Sequence, residues 1–205
     1  MNRRENDCPN AENLNNGYLP WNIQSRRLAE EGIFTFSLEY ILEKTIDGGL
    51  FMAFVSIYIV GRLNHPYDHP ASREFFQVGN EVYRQATKSG LIEAFSPEGV
   101  PFPEESVKGT GSPVLSLTVW RNLQSLYRFT YSRQHMQALR DRGKWIEQYP
   151  EKHLSYVVWW TEKVKDVSWK EAFKRYNYYI QHGPTPFAFD YKHAFDEKGE
   201  TFLIK

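Results

Sequence analysis

The sequence predicts an α+β domain: a four-stranded antiparallel sheet with helices packed on it. Three observations carry this. Short β-branched and aromatic runs alternate with stretches whose apolar residues recur at spacings of three and four. They follow one another as strand, helix, strand, strand, helix, strand, and then a further helix. The chain is 205 residues long and 41% hydrophobic, enough for one domain with a substantial core and an extra arm.

Residues 1–19 are rich in Asn, Asp, Glu and Arg and read as a tail without regular structure. Residues 20–48 are too apolar for a free tail. They read as an arm packed on the domain or on a partner, with Asp47-Gly48-Gly49 as the turn out of it. The domain proper is expected over 49–190, with 191–205 as a C-terminal tail. Leu50 to Val60 is β-branched and aromatic and bounded by glycines, hence a buried strand. Arg62 to Pro70 is a proline-bounded loop. Ala71 to Ser89 places Phe75, Val78, Val82 and Tyr83 at helical spacing, and Gly90 stops that helix. Leu91–Phe95 is a short strand, and Ser96 to Gly111, with three prolines, a long loop. Pro113–Trp120 alternates as a strand. Leu123, Leu126, Phe129, Met136 and Leu139 then line the apolar side of a long helical stretch, with Ser132 placed to stop one helix and cap another. His153 to Trp160 returns as a strand. Ser168 caps a helix over Trp169 to Gln181, which Gly183-Pro184 ends.

This β-α-β-β-α-β order gives a ferredoxin-like sheet with helices on one face. The other face is then expected to be bare, and to be covered by a second subunit or to line a cavity. Apolar side chains on both parities of Tyr156-Val157-Val158-Trp159-Trp160 fit burial of both faces, which points to a homodimer.

The charge balance narrows the function classes. With 25 basic and 25 acidic side chains the chain lacks the excess expected of a nucleic-acid binder or of a protein drawn to an anionic membrane surface. Cys8 is the single cysteine, so no intrachain disulfide forms. The N-terminus has no apolar core of signal-peptide length, and the run from Leu50 to Val60 is too short for a bilayer. The expectation is a cytoplasmic protein. A Gly-rich phosphate loop, a Gly-x-Ser-x-Gly elbow and a dinucleotide fingerprint are all absent.

Leu126-x-x-Phe129-x-Tyr131-x-x-x-His135-x-x-x-Leu139-x-x-Arg142-x-x-Trp145, then Val158-Trp159-Trp160, then His182-Gly183-Pro184-Thr185 followed by Phe187, resembles a bacterial and fungal family known as a domain of unknown function. That family is similar to the dimeric α/β-barrel superfamily, which includes the antibiotic-biosynthesis monooxygenases. The resemblance covers roughly residues 50–190. Glu93 departs from it, standing where the family usually carries an aromatic residue. It implies a dimeric α/β-barrel type of fold, here with an extra C-terminal helix and an N-terminal arm. The activities of such folds range from cofactor-free oxygenases and haem-degrading enzymes to cyclases and non-catalytic stress proteins, so fold alone does not choose among them.

Tyr127, Tyr131 and His135 fall at i, i+4 and i+8 and share a face if the helix is unbroken. Histidine exchanges a proton near neutral pH, and a neighbouring phenol can donate to a developing oxyanion. These three are the catalytic candidates; packing tyrosines and a structural histidine are the bland alternative. Trp120, Arg142, Trp145, Trp159 and His182 are the substrate-binding candidates: tryptophans as walls for a flat ligand, and Arg142 to orient a carboxylate or to pair with Glu147 or Asp141. His65 and His69 flank Asp68, but Pro66 and Pro70 argue against the helical geometry that would make them converge on a metal. The expected function is acid/base chemistry on a hydrophobic polyketide-, terpene- or aromatic-type small molecule, such as cofactor-free oxygenation, cyclisation or isomerisation. The alternatives are haem binding through His135 or His182, and a non-catalytic binding protein.

Overall fold

The computed structural model describes residues 53–100, 102, 111–148 and 154–204. The expected tail over 1–19, the arm over 20–48, and the parts of the sequence readings that fall on 49–52, 101, 103–110 and 149–153 lie outside the described residues. The elements are β1 (Phe54–Arg62), α1 (Pro70–Ser89), β2 (Leu91–Phe95), β3 (Pro113–Trp120), α2 (Leu123–Thr130), α3 (Arg133–Asp141), β4 (Tyr156–Thr161), α4 (Trp169–His182) and a small hairpin, β5 (Ala194–Phe195) with β6 (Thr201–Phe202). β1 to β4 form one antiparallel sheet in the order β2-β3-β1-β4. Gly61, expected to end the first strand, lies inside it, paired with Val114.

Local chemistry sets the helix ends. Pro70 opens α1, where its missing N–H costs nothing, and His69 Nδ1 accepts the Ala71 N–H at 3.2 Å. Gly90 closes α1 at φ 110°, and its absent Cβ would stand 2.8 Å from Ser125 Cβ. Only glycine allows both the left-handed backbone and this close approach of α1 to α2. Asn122 caps α2 by accepting Ser125 N–H at 2.8 Å, and Ser168 caps α4 through Glu171 N–H.

At Ser132 the backbone is extended, with ψ 153°, and it divides the central helical stretch into α2 and α3. Ser132 stands at the cap position, although its side chain makes no capping bond. The break also removes the premise that Tyr127, Tyr131 and His135 share one continuous helical face.

The register decides which side chains face which layer. On one face Tyr58, Val60, Leu117, Val119, Val157 and Trp159 are buried with Ala172 and Tyr176 of α4. Tyr58 meets Trp169, Phe173 and Tyr176 edge-on at centroid distances of 6.1, 5.6 and 5.5 Å. Arg175 ion-pairs with Glu171 at 2.8 Å, lies over the Trp159 and Phe187 rings and donates to the Phe187 carbonyl, so it fastens the segment after α4. The expectation of a bare sheet face is therefore corrected: α4 and its flanking turns cover that face from within the same chain. The helix supplies, on that face, the kind of cover that a second subunit was expected to give.

On the other face Val55, Ile57, Trp120 and Val158 pack with Ala86, Leu123, Leu126 and Phe129, and with Phe189 and Ala194 from the C-terminal segment. That segment, expected to be a tail from residue 191, instead runs along β4. Phe189 exchanges both backbone hydrogen bonds with Val158, at 2.8 and 2.9 Å, and the Trp160 indole donates to the Phe195 carbonyl at 2.8 Å. Among the described residues, no helix is long and apolar enough to cross a membrane.

Candidate functional site

Between the sheet and the roof formed by α1, α2 and α3 lies a cavity of about 850 Å³. Its floor follows from the pairing: Ile57 lies beside Thr118, and Ile59 between Ser116 and Tyr156. Phe75, Val78 and Val82 of α1 form one side, and Leu126, Phe129, His135 and Leu139 of α2 and α3 the other. Ile59 is 40% exposed and Tyr131 51% exposed, although both line the cavity, so the chamber opens to solvent near them.

The break between α2 and α3 fixes His135. Its Nδ1 lies 2.8 Å from the Thr130 carbonyl oxygen, which can only accept. Nδ1 therefore carries the proton, and in the neutral ring Nε2 carries the lone pair. Burial pushes the imidazole below the ordinary histidine value, against the opposing pull of the Thr130 hydrogen bond. Near neutral pH the ring is an uncharged base, and its side chain lines a largely apolar chamber.

Thr130 has a second role. Its hydroxyl donates to the Leu126 carbonyl at 2.9 Å and lies 3.0 Å from the Tyr191 hydroxyl. One hydroxyl has one proton, so Tyr191 donates to Thr130. The Tyr191 backbone N–H in turn donates to the Tyr156 hydroxyl at 3.2 Å. Thr130, at the end of α2, thus ties the His135 side of the roof to the C-terminal segment and to the Tyr156 side of the floor. Burial pushes the Tyr156 phenol up to about 12, and the Asp190 carboxylate nearby adds to the effect. Tyr156 is therefore a hydrogen-bond donor and not a base. Burial also raises the phenol of Tyr191. Asp190 accepts from the Tyr179 hydroxyl and from the backbone N–H groups of Lys192 and His193. Burial pushes its carboxyl up, but these bonds outweigh that and hold it below the usual carboxylate range.

Of the residues singled out from the sequence, Trp120, Tyr131, His135, Arg142 and Trp145 line the cavity together. Trp120 Nε1 donates to Thr118 Oγ1 at 2.9 Å and its ring lies 4.8 Å from Phe129; Trp145 Nε1 donates to Glu74 at 3.1 Å. Arg142 lies in the 3-10 turn that follows α3, on the cavity wall. The partners considered for it are taken otherwise: Glu147 pairs with Arg62, and Asp141 with Lys144 at 3.0 Å. Three candidates lie elsewhere. Tyr127 is not among the residues that line the cavity; its ring lies tilted 4.5 Å from Tyr131 and edge-on 5.7 Å from Tyr191. Trp159 is buried on the opposite face of the sheet. His182 sits exposed at the end of α4, stacked on Tyr178 at 4.1 Å and donating to its carbonyl. The His65 and His69 rings stack at 3.8 Å, and His69 Nδ1 is engaged in capping α1.

The sequence reading missed Thr130, Tyr156 and Tyr191. Tyr156 carried one available signal: its parity in β4 alternates with Val157 and Trp159, which places it on the face away from α4. Tyr191 carried none, because its segment has no periodicity.

Residues 54–202 match the family model described as Domain of unknown function (DUF3291). No curated protein and no solved structure matches the chain.

Proposed function

We propose that this chain, a member of the DUF3291 family, binds a flat, largely apolar small molecule in the sheet–helix chamber and moves a proton on it, with His135 Nε2 as the base. One observation carries the reading. The Thr130 carbonyl holds the His135 proton on Nδ1, which leaves the lone pair on Nε2, and the His135 side chain lines a chamber large enough for a drug-sized ligand. Trp120, Phe129 and Trp145 supply flat apolar wall, Tyr131 a phenol at the mouth, and Arg142 a cation on the wall. The strand order β2-β3-β1-β4, with helices between β1 and β2 and between β3 and β4, supports a ferredoxin-like reading. Small-molecule enzymes are common on such folds, an argument by analogy only.

Titration with naphthalene, followed by tryptophan fluorescence, tests the chamber. Saturable 1:1 binding that Ala138→Trp abolishes is the expected result, since Ala138 lines the cavity. Binding that is absent, or unchanged in Ala138→Trp, refutes the reading. A Soret band on mixing the protein with haemin, lost in His135→Ala, would instead assign the Nε2 lone pair to iron.

A further inference from the structure

The two walls of the chamber offer complementary hydrogen-bonding groups. Tyr156 stands on the floor at the start of the outer strand β4, paired with Ile59 of β1. Its oxygen already accepts the Tyr191 backbone N–H, and its own proton has no acceptor among the described residues. His135 stands in the roof with Nδ1 engaged and no partner for Nε2 among the described residues. Both side chains line the same cavity, joined along its wall through Thr130 and Tyr191, which line it too. A ligand that satisfies both must present an acceptor oxygen to the floor and an acidic hydrogen to the roof. Burying either group unpaired against a ligand costs free energy, so the pair selects for that combination.

We propose that the substrate is a flat, enolisable carbonyl compound whose oxygen is bound by Tyr156 while His135 takes a proton from the adjacent carbon. The proposal rests on the reading of the chamber as a small-molecule site and adds its chemical class. In the step, the α C–H bond breaks and its proton passes to Nε2. Its electron pair becomes the carbon–carbon double bond of the enolate. The carbonyl π pair moves to oxygen, where the Tyr156 hydroxyl stabilises the charge by donating to it. Return of the proton from the imidazolium to carbon closes the cycle, and the net change is isomerisation or hydrogen exchange with no oxidant consumed. Tyr156 is thereby a catalytic residue; Thr130 and Tyr191 are positioning residues.

The probe is 2-tetralone, a flat aromatic ketone with acidic α-hydrogens. Its binding is read by tryptophan fluorescence, and its deuterium uptake from heavy water by mass spectrometry. The wild-type protein should bind it and accelerate uptake. Tyr156→Phe should bind naphthalene within threefold of wild type yet lose uptake by about 100-fold or more, the usual effect of removing one oxyanion donor. Binding without accelerated uptake, or uptake unchanged in Tyr156→Phe, overturns the proposal and leaves the small-molecule reading standing. Failure of both 2-tetralone and naphthalene to bind overturns both. If Tyr156→Phe does not fold, the wild-type protein decides. 2-Naphthol, whose oxygen sits where the enolate oxygen would, should bind at least tenfold tighter than naphthalene and inhibit uptake; equal affinity overturns the proposal.

Discussion

The hydroxyl of Thr130 offers a quantitative test of how the C-terminal segment is coupled to the helix break. In Tyr191→Phe one hydrogen bond is lost, but the Thr130 hydroxyl still donates to the Leu126 carbonyl, so no polar atom is stranded. The expected cost is about 0.5–1.5 kcal/mol. Thr130→Val removes the same bond and keeps the shape, but it leaves the Tyr191 hydroxyl facing a methyl group. Stranding that donor raises the cost to about 1–3 kcal/mol. The Leu126 carbonyl is spared in either case, because it lies within α2. In the double variant both hydroxyls are gone and nothing is stranded, so its cost falls back to that of Tyr191→Phe. The two substitutions should therefore be strongly non-additive, by about 1–3 kcal/mol in the favourable direction. Urea unfolding followed by circular dichroism measures all four corners of the cycle. Effects that add within about 0.5 kcal/mol would mean that the Tyr191–Thr130 contact does not exist in solution. The Thr130 backbone carbonyl survives both substitutions, so His135 keeps its anchor throughout.

Three further outcomes are expected. Burial holds the His135 imidazole below its ordinary value, so between that value and the folded one the unfolded chain binds more protons. Its contribution to stability is complete above about pH 6.5 and declines as pH falls below it; the urea midpoint should drop between pH 7.5 and 5, with a smaller drop in His135→Gln. Trp159→Phe should lower stability by about 1–3 kcal/mol while leaving naphthalene affinity within twofold, because Trp159 lies on the face away from the chamber; Trp120→Phe, by contrast, should change that affinity, and identical behaviour of the two would contradict the assignment of faces. Gly90→Ala should cost about 2 kcal/mol or more, since it combines a left-handed backbone with a Cβ placed 2.8 Å from Ser125 Cβ; a change below about 1 kcal/mol in calorimetric or urea unfolding would rule out the close approach of α1 and α2.

Much of this architecture was legible wherever local chemistry and periodicity agreed. Pro113–Trp120 alternates cleanly and is the strand the alternation predicts. Leu91–Phe95 is bounded by Gly90 and by Ser96-Pro97, and its ends follow from those punctuators. Ser168 and Gly90 behave as the cap and the stop that their chemistry implies. The parts not legible depend on contacts distant in sequence. Gly61 reads as a terminator, but pairing with Val114 across the sheet carries it into β1. Ser132 was visible as a cap, yet how far the break would turn His135 away from Tyr127 could not be read from spacing. The segment from Phe187 to Phe195 has no period of its own; what orders it is the edge of β4, Arg175 beneath it and Trp160 above. Tyr191 was invisible for the same reason, and so was the link it makes between floor and roof.

The bridge between Phe189 and Val158 has a consequence for the molecule in a crowded solution. β4 is an outer strand, and an outer strand with free N–H and C=O groups is a template on which another chain can continue the ribbon. Phe189 occupies both groups of Val158, at the middle of that strand. A chain shortened before residue 187 would lose this plug, and strand-to-strand polymerisation along β4 would then compete with folding.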